Sequence, residues 1–318
     1  MTETAELASA VIGSLSPSRA ADFKTCPLLY RFRCIDRLAE APSQAATRGT
    51  VVHAVLEALF DLPAAERTLQ AARAMVPAAW ARVLAEEPEV ASLFAADAEG
   101  TALTDWLDSA AGLLDNYFQL EDPTRLEPAA REELVEVVID GLRLRGYVDR
   151  LDVSPGGDLR VVDYKTGSTP REAFEAKALF QMKFYALVLW RTRGVVPRQL
   201  RLMYLADADT LSYAPDAEEL TRFERTLKAV WAAIERATQT GDFRASPSRL
   251  CGWCDHQALC PAFGGTPPPF PADAVSTAGE DRRRSVLNAP AESVPTATSV
   301  LLAGTSAAAV AGASAALA

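Results

Sequence analysis

Asp149, Asp163 and Lys165 are the side chains of this 318-residue chain whose types and spacing most directly suggest chemistry. They lie in Gly146-Tyr147-Val148-Asp149-Arg150-Leu151-Asp152 and Val161-Val162-Asp163-Tyr164-Lys165-Thr166-Gly167, on either side of the turn signal Pro155-Gly156-Gly157-Asp158. Residues 142–153 and 158–165 alternate apolar and polar side chains, so they read as two antiparallel strands joined by that turn. With the turn centred on Gly156, Asp149 and Asp163 are equally distant from it and fall opposite one another, with Cβ atoms about 4.5–5.5 Å apart. Lys165, two residues on, shares the face of Asp163. Like charges side by side on a sheet repel unless a cation lies between them, and such oxygen ligands suit the hard ions Mg2+ and Mn2+. A structural salt bridge from Lys165 to either carboxylate fits the same pattern.

The flanking segments must position this group. Arg48-Gly49-Thr50-Val51-Val52-His53-Ala54-Val55-Leu56-Glu57 reads as a helix start with Thr50 as N-cap, which puts His53 and Glu57 on one face. A single histidine there serves equally well as a core or surface residue. Downstream, Gln181 and Tyr185 are four apart on the apolar helix 178–189, where an amide and a phenol need hydrogen-bond partners if buried.

Taken in order, these segments resemble the RecB-type branch of the PD-(D/E)XK nuclease superfamily over about residues 14–262. The correspondence runs through Ser16-Pro17-Ser18, Cys26-Pro27, Arg48-Gly49-Thr50-Val51-Val52-His53, Gly146-Tyr147-Val148-Asp149, Asp163-Tyr164-Lys165-Thr166-Gly167 and Gln181-Met182-Lys183-Phe184-Tyr185. The resemblance implies that His53, Asp149 and Asp163 ligate Mg2+ or Mn2+, with the Tyr164 carbonyl as a further ligand. It implies that Lys165 orients or deprotonates the attacking water, while Gln181 and Tyr185 position the scissile strand or the lysine. The expected reaction is hydrolysis of phosphodiester bonds in DNA.

Cys251-Gly252-Trp253-Cys254 and Cys260-Pro261 form a second group. With no secretory leader read in the chain, this spacing favours a metal site over a disulfide framework, and three thiolates need a fourth ligand. The resemblance to iron-sulfur nucleases of the same branch implies that Cys26 is that ligand and that the four thiolates hold a 4Fe-4S cluster stapling the ends of the domain. Zn2+ on the same ligands is the alternative, His256 competes with Cys26 as fourth ligand, and Cys34 reads as a buried thiol.

The net charge of −10 argues against a generic nucleic-acid binder, but its distribution does not. Residues 81–140 carry fifteen acids against three arginines, whereas residues 160–205 carry nine basic residues against three acids. The segments beside the proposed site are therefore positive, and the acidity belongs to a separate helical block.

The expected architecture is α/β: a PD-(D/E)XK restriction-endonuclease-like mixed sheet flanked by helices, with a helical insertion and an iron-sulfur staple. Residues 1–13 form an unstructured N-terminus and 14–263 the nuclease domain. Within it, 16–40 open on a short helix and 54–130 form a helical elaboration broken near Pro63, Pro77 and Pro88. Further strands run over 134–140 and 199–205, a helix over 216–239, and the cysteine cluster over 251–260. Residues 264–318, rich in Pro, Ala and Ser, read as a disordered tail, and the uncharged 293–318 is too weakly apolar for a membrane span. No phosphate-binding Gly-x-x-x-x-Gly-Lys-Ser/Thr loop is present, so coupling to a helicase requires a partner. The function expected is a cytoplasmic, metal-dependent exonuclease preferring single-stranded DNA ends, in repair or recombination. The alternatives are a catalytically silent DNA-binding or scaffolding subunit, from which the complete set His53, Asp149, Asp163 and Lys165 argues away, and an endonuclease in a CRISPR-adaptation-like assembly.

Overall fold

A computed structural model describes residues 13–96, 99–169 and 172–271, with backbone alone for 172–175 and 177. Strands β3 (Leu142–Val153) and β4 (Leu159–Lys165) form the hairpin around Gly156, paired from Val153↔Leu159 to Arg150↔Val162. Strand β2 (Ala130–Ile139) pairs antiparallel with β3 through a second hairpin. Its turn, Asp140-Gly141, has positive φ at both residues (49° and 80°), as a two-residue type I′ turn requires. Strand β5 (Gln199–Tyr204) runs parallel to β4, β6 (Asp209–Tyr213) antiparallel to β5, and the two-residue β1 (Ser14–Leu15) parallel to β3. The sheet order is β1-β3-β4-β5-β6, with β2 also on β3.

Helices cover both faces because neighbouring strand residues bury to opposite sides. Val161 belongs to a core shared with α5 (Glu172–Arg193) and α6 (Ala217–Thr240), whereas Val162 joins one built with α2 (Gln44–Leu59), α3 (Leu69–Glu86) and α4 (Thr101–Leu120). Arg150, fully buried, bonds Glu121 and the Tyr164 hydroxyl (2.8 Å), tying the end of the α4 region to the sheet. Ser16 caps α1 (Pro17–Thr25) as its Ser-Pro opening suggests, accepting from the Arg19 amide.

Three expectations change. Helix α2 starts at Gln44 with Ser43 as N-cap, accepting from the Ala46 amide, and Thr50 is interior, donating instead to the Ala46 carbonyl. Pro77 does not break the helical block but lies inside α3, on its exposed side; burial of Val76, Trp80 and Val83 outweighs the lost backbone bond. Residues 264–271, assigned to the tail, return to the domain: Phe270 stacks on Phe243, and Arg31 donates to the Pro268 carbonyl. The expected unstructured N-terminus and most of the expected tail, residues 1–12 and 272–318, lie outside the described residues; among the described residues no helix is long and apolar enough to cross a membrane.

Candidate metal centre and active site

The site sits where the central hairpin opens. The β3–β4 ladder ends at Arg150↔Val162, and Asp149 and Asp163 are the next residue on each strand. The register expected from the turn therefore holds, while the acids themselves stand one step past the last backbone pair. Freed from the ladder, Asp149 Oδ2 accepts from the Tyr164 amide at 2.7 Å.

On β4, Lys165 Nζ lies 2.6 Å from Asp163 Oδ2 and donates to Gln181 Oε1 at 2.9 Å. Gln181 Nε2 donates to Asp163 Oδ1 (2.9 Å) and to the Tyr185 hydroxyl (3.1 Å), so one amide on α5 clamps both the acid and the lysine. Burial would lower the Lys165 pKa, but the Asp163 carboxylate outweighs it and raises the pKa, which keeps the ammonium charged. Gly146 makes room for Tyr185: a Cβ there would stand 2.8 Å from the tyrosine ring and 3.4 Å from Pro17. The Gly-x-x-Asp spacing is thus a packing requirement as well as a candidate ligand spacing.

Helix α2 delivers His53. Gly49 seats this helix close to the turn after β4, where a Cβ would stand 3.2 Å from Thr166 Oγ1. His53 Nε2 is 3.0 Å from the Tyr164 carbonyl, and Nδ1 is 3.6 Å from both Asp149 Oδ2 and Glu132 Oε1. The Tyr164 carbonyl, expected as a metal ligand, here orients the imidazole, as second partners of ligating histidines commonly do. Burial would lower the His53 pKa, but the bond to Glu132 and the charges of Asp149 and Asp163 raise it to about 9. Burial, then the neighbouring Asp163, push Asp149 up to about 7. Such crowding favours a cation.

Glu132 is the residue the sequence reading missed. One donor atom each from His53, Glu132 and Asp149 lies within 4.8 Å of the others, a set able to hold a metal ion. The signal was present: counted back from the Asp140-Gly141 turn, the β2–β3 register places Glu132 across from Asp149. Glu132 takes the left-handed conformation (φ 43°), rare for a side-chain-bearing residue and common at functional sites. Glu57, on the face of His53, lines the same cavity of about 480 Å3 and lies 3.6 Å from Arg82.

Cys26, Cys251, Cys254 and Cys260 border one apolar cavity between the start and the end of the domain. Backbone amides of Ser246 and Ser248 donate to the Cys26 and Cys251 sulfurs at 3.4 and 3.3 Å. Their sulfurs are not gathered within 4.8 Å of one another, as the His53 set is. His256 faces away to Glu40 (3.0 Å), and Cys34 is buried with its thiol pushed up to about 11 by burial.

An acidic pair and a lysine at the ends of central strands, under a helix that supplies a histidine, are the parts of a metal-dependent nuclease. The chain belongs to the PD-(D/E)XK nuclease superfamily, whose family model matches residues 14–261. It is similar to the Gene 69 proteins of two mycobacteriophages. For phage D29 the match is 26% identical and covers 78% of this chain and 96% of the relative. For phage L5 it is 33% identical over 130 residues, and the chain matches only 42% of that relative's length. In fold it is similar to a candidate exonuclease of Eubacterium rectale, with a TM-score of 0.54 at 13% identity, covering 87% of this chain and 97% of that one. Enzymes of this superfamily are nucleases that typically use Mg2+ or Mn2+.

Proposed function

We propose that the protein is a RecB-type, metal-dependent exonuclease that hydrolyses DNA from single-stranded ends in cytoplasmic repair or recombination, with a helicase as partner. The observation that carries this reading is the Gln181 clamp, which holds Asp163 and a charged Lys165 beside the ligand set of His53, Glu132 and Asp149. His53, Asp149 and Asp163, with Glu132 in reach, would hold a divalent cation, which would supply Lewis acidity and a water of lowered pKa. Lys165, 2.6 Å from Asp163 and aimed by Gln181, would orient or deprotonate the attacking water and stabilise the charge that builds on the phosphoryl oxygen. Gln181 fixes the lysine's direction, and Tyr185 fixes Gln181. The end preference rests on the RecB resemblance and on fold likeness to a candidate exonuclease.

The four cysteines are proposed to hold a 4Fe-4S cluster. The donors fit it: four thiols border one cavity, and two of them receive backbone N–H bonds of the kind that tune cluster sulfurs. The cluster would join the two ends of the domain and take no part in the reaction.

Incubation with end-labelled single- and double-stranded DNA and with circular DNA, in Mg2+ or Mn2+ and in chelator, tests the reading. Metal-dependent loss of linear DNA, single strands fastest, is expected. Binding without cleavage would point to a silent subunit, and cutting of circles to an endonuclease.

A further inference from the structure

Beside the metal site, the β2–β3 ribbon leaves a row of side chains open to solvent. Leu134 and Tyr147 face each other across the two strands, 43% and 53% exposed, and Val138 beyond them is 45% exposed. Val135, Leu142, Leu144 and Val148, the alternate residues, are in the core, so the exposed row is the other face of a firmly packed ribbon. Arg145 and Arg143 share that face. Glu136 stands across the strands from Arg145 and meets Arg143 at 3.9 Å, so this one acid faces two arginines, and among the described residues no ion pair within 4.0 Å is formed by Arg145.

The row ends at the ligands. Two residues from Leu134 and Tyr147 stand Glu132 and Asp149, both in the candidate metal set. At about 6.6–6.8 Å per two residues, Tyr147, Arg145 and Arg143 lie about 7, 13 and 20 Å along the ribbon from Asp149. Two arginines, an exposed aromatic ring and then the carboxylates follow one line.

Resting on the nuclease reading, we propose that this face is the track by which single-stranded DNA enters the site, with Tyr147 as a stacking platform and Arg145 and Arg143 as phosphate contacts. Rings stack on bases whose faces are free, as they are in a single strand and not within a duplex. A stacked strand rises about 3.4 Å per nucleotide, so about 20 Å of track takes about six nucleotides, within the range of single-strand binding sites. The arginines supply the positive charge a phosphate chain requires and a protein partner does not.

The test is fluorescence anisotropy of a labelled single-stranded oligonucleotide in chelator, with cleavage in Mn2+ assayed in parallel. Tyr147→Ala should weaken single-strand binding about tenfold, a typical loss for a stacked base, and Tyr147→Phe should restore it. Arg145→Ala should reduce the salt slope of log affinity by about 0.7, one phosphate contact on a single strand. Wild-type single-strand affinity in Tyr147→Ala, from a wild type that cleaves, would overturn the track. So would an equal loss on blunt duplex, or variants that only dissolve a dimer, since the face would then join copies of this chain. A wild type that neither binds nor cleaves DNA would instead sink the nuclease reading itself.

Discussion

At the open end of the central hairpin the donors are charged and already hold one another, whereas around the cysteine cavity they are thiols held by little more than two backbone amides. The first group is carried by three strands and two helices that bury large side chains on both faces of a sheet. The second sits on short turns after Arg249, at the seam with Cys26. A site built on the core can lose a ligand and keep its scaffold. A seam closed by ligation loses the scaffold with the ligand, because metal-binding free energy there is folding free energy. On the proposed reading, the difference separates a centre for chemistry from a centre for stability.

The largest expected effect is on catalysis. Lys165→Ala or Asp163→Ala should lower kcat at least about 10²–10³-fold, the cost of one preorganised electrostatic contact at a reacting centre. Lys165 is 29% exposed, so its variant should unfold within a few degrees of wild type by calorimetry. Near-normal turnover in either variant would mean that the Gln181 clamp is structural.

The cysteine region should respond in the opposite sense. Cys254→Ser or Cys26→Ser should bleach the brown colour of anaerobically purified protein and lower the unfolding temperature by about 5–15 °C, equivalent to a few kcal/mol in a domain of this size. Cys34→Ser should leave the colour intact. A colourless wild type with stoichiometric zinc would replace the cluster by a zinc site on the same ligands.

Gly146→Ala should fall between these extremes. The added methyl meets the Tyr185 ring at 2.8 Å, an overpacking cost of about 1–3 kcal/mol. Because Tyr185 holds Gln181, turnover should drop several-fold along with stability, and a stability loss without any change in turnover would separate Tyr185 from the clamp.

The mildest effect concerns pH. Without an ion, Asp149 is raised to about 7 and His53 to about 9, so both tend to hold protons at neutral pH and a cation must displace them. Apparent Mn2+ affinity by calorimetry should therefore rise with pH, by about tenfold or more from pH 6 to pH 8, and level off above pH 9. A flat profile would exclude these two as ligands.

Much of the chemical centre was legible because its residues are tied to local signals. Pro155-Gly156-Gly157-Asp158 fixed one register and hence the relation of Asp149 to Asp163. The equally strong Asp140-Gly141 turn would have exposed Glu132, but a strand begun at Leu134 stopped two residues short of it. Helix starts were harder to read, since Ser43 and Thr50 are both competent caps and only packing against the sheet decides between them. Local propensity makes Pro77 a helix break, and its buried neighbours override that preference. The return of residues 264–271 depends on Arg31 and Phe243, partners distant in sequence that leave no local pattern.

The most direct test of the contrast is one chelator titration of the wild-type protein, followed at once by DNA cleavage and by circular dichroism at 25 °C. Cleavage should disappear, and return with Mn2+, while the far-ultraviolet spectrum and the brown colour stay unchanged. Cleavage that persists after exhaustive chelation, or a fold that collapses in step with activity, would contradict the assignment of chemistry to one centre and stability to the other.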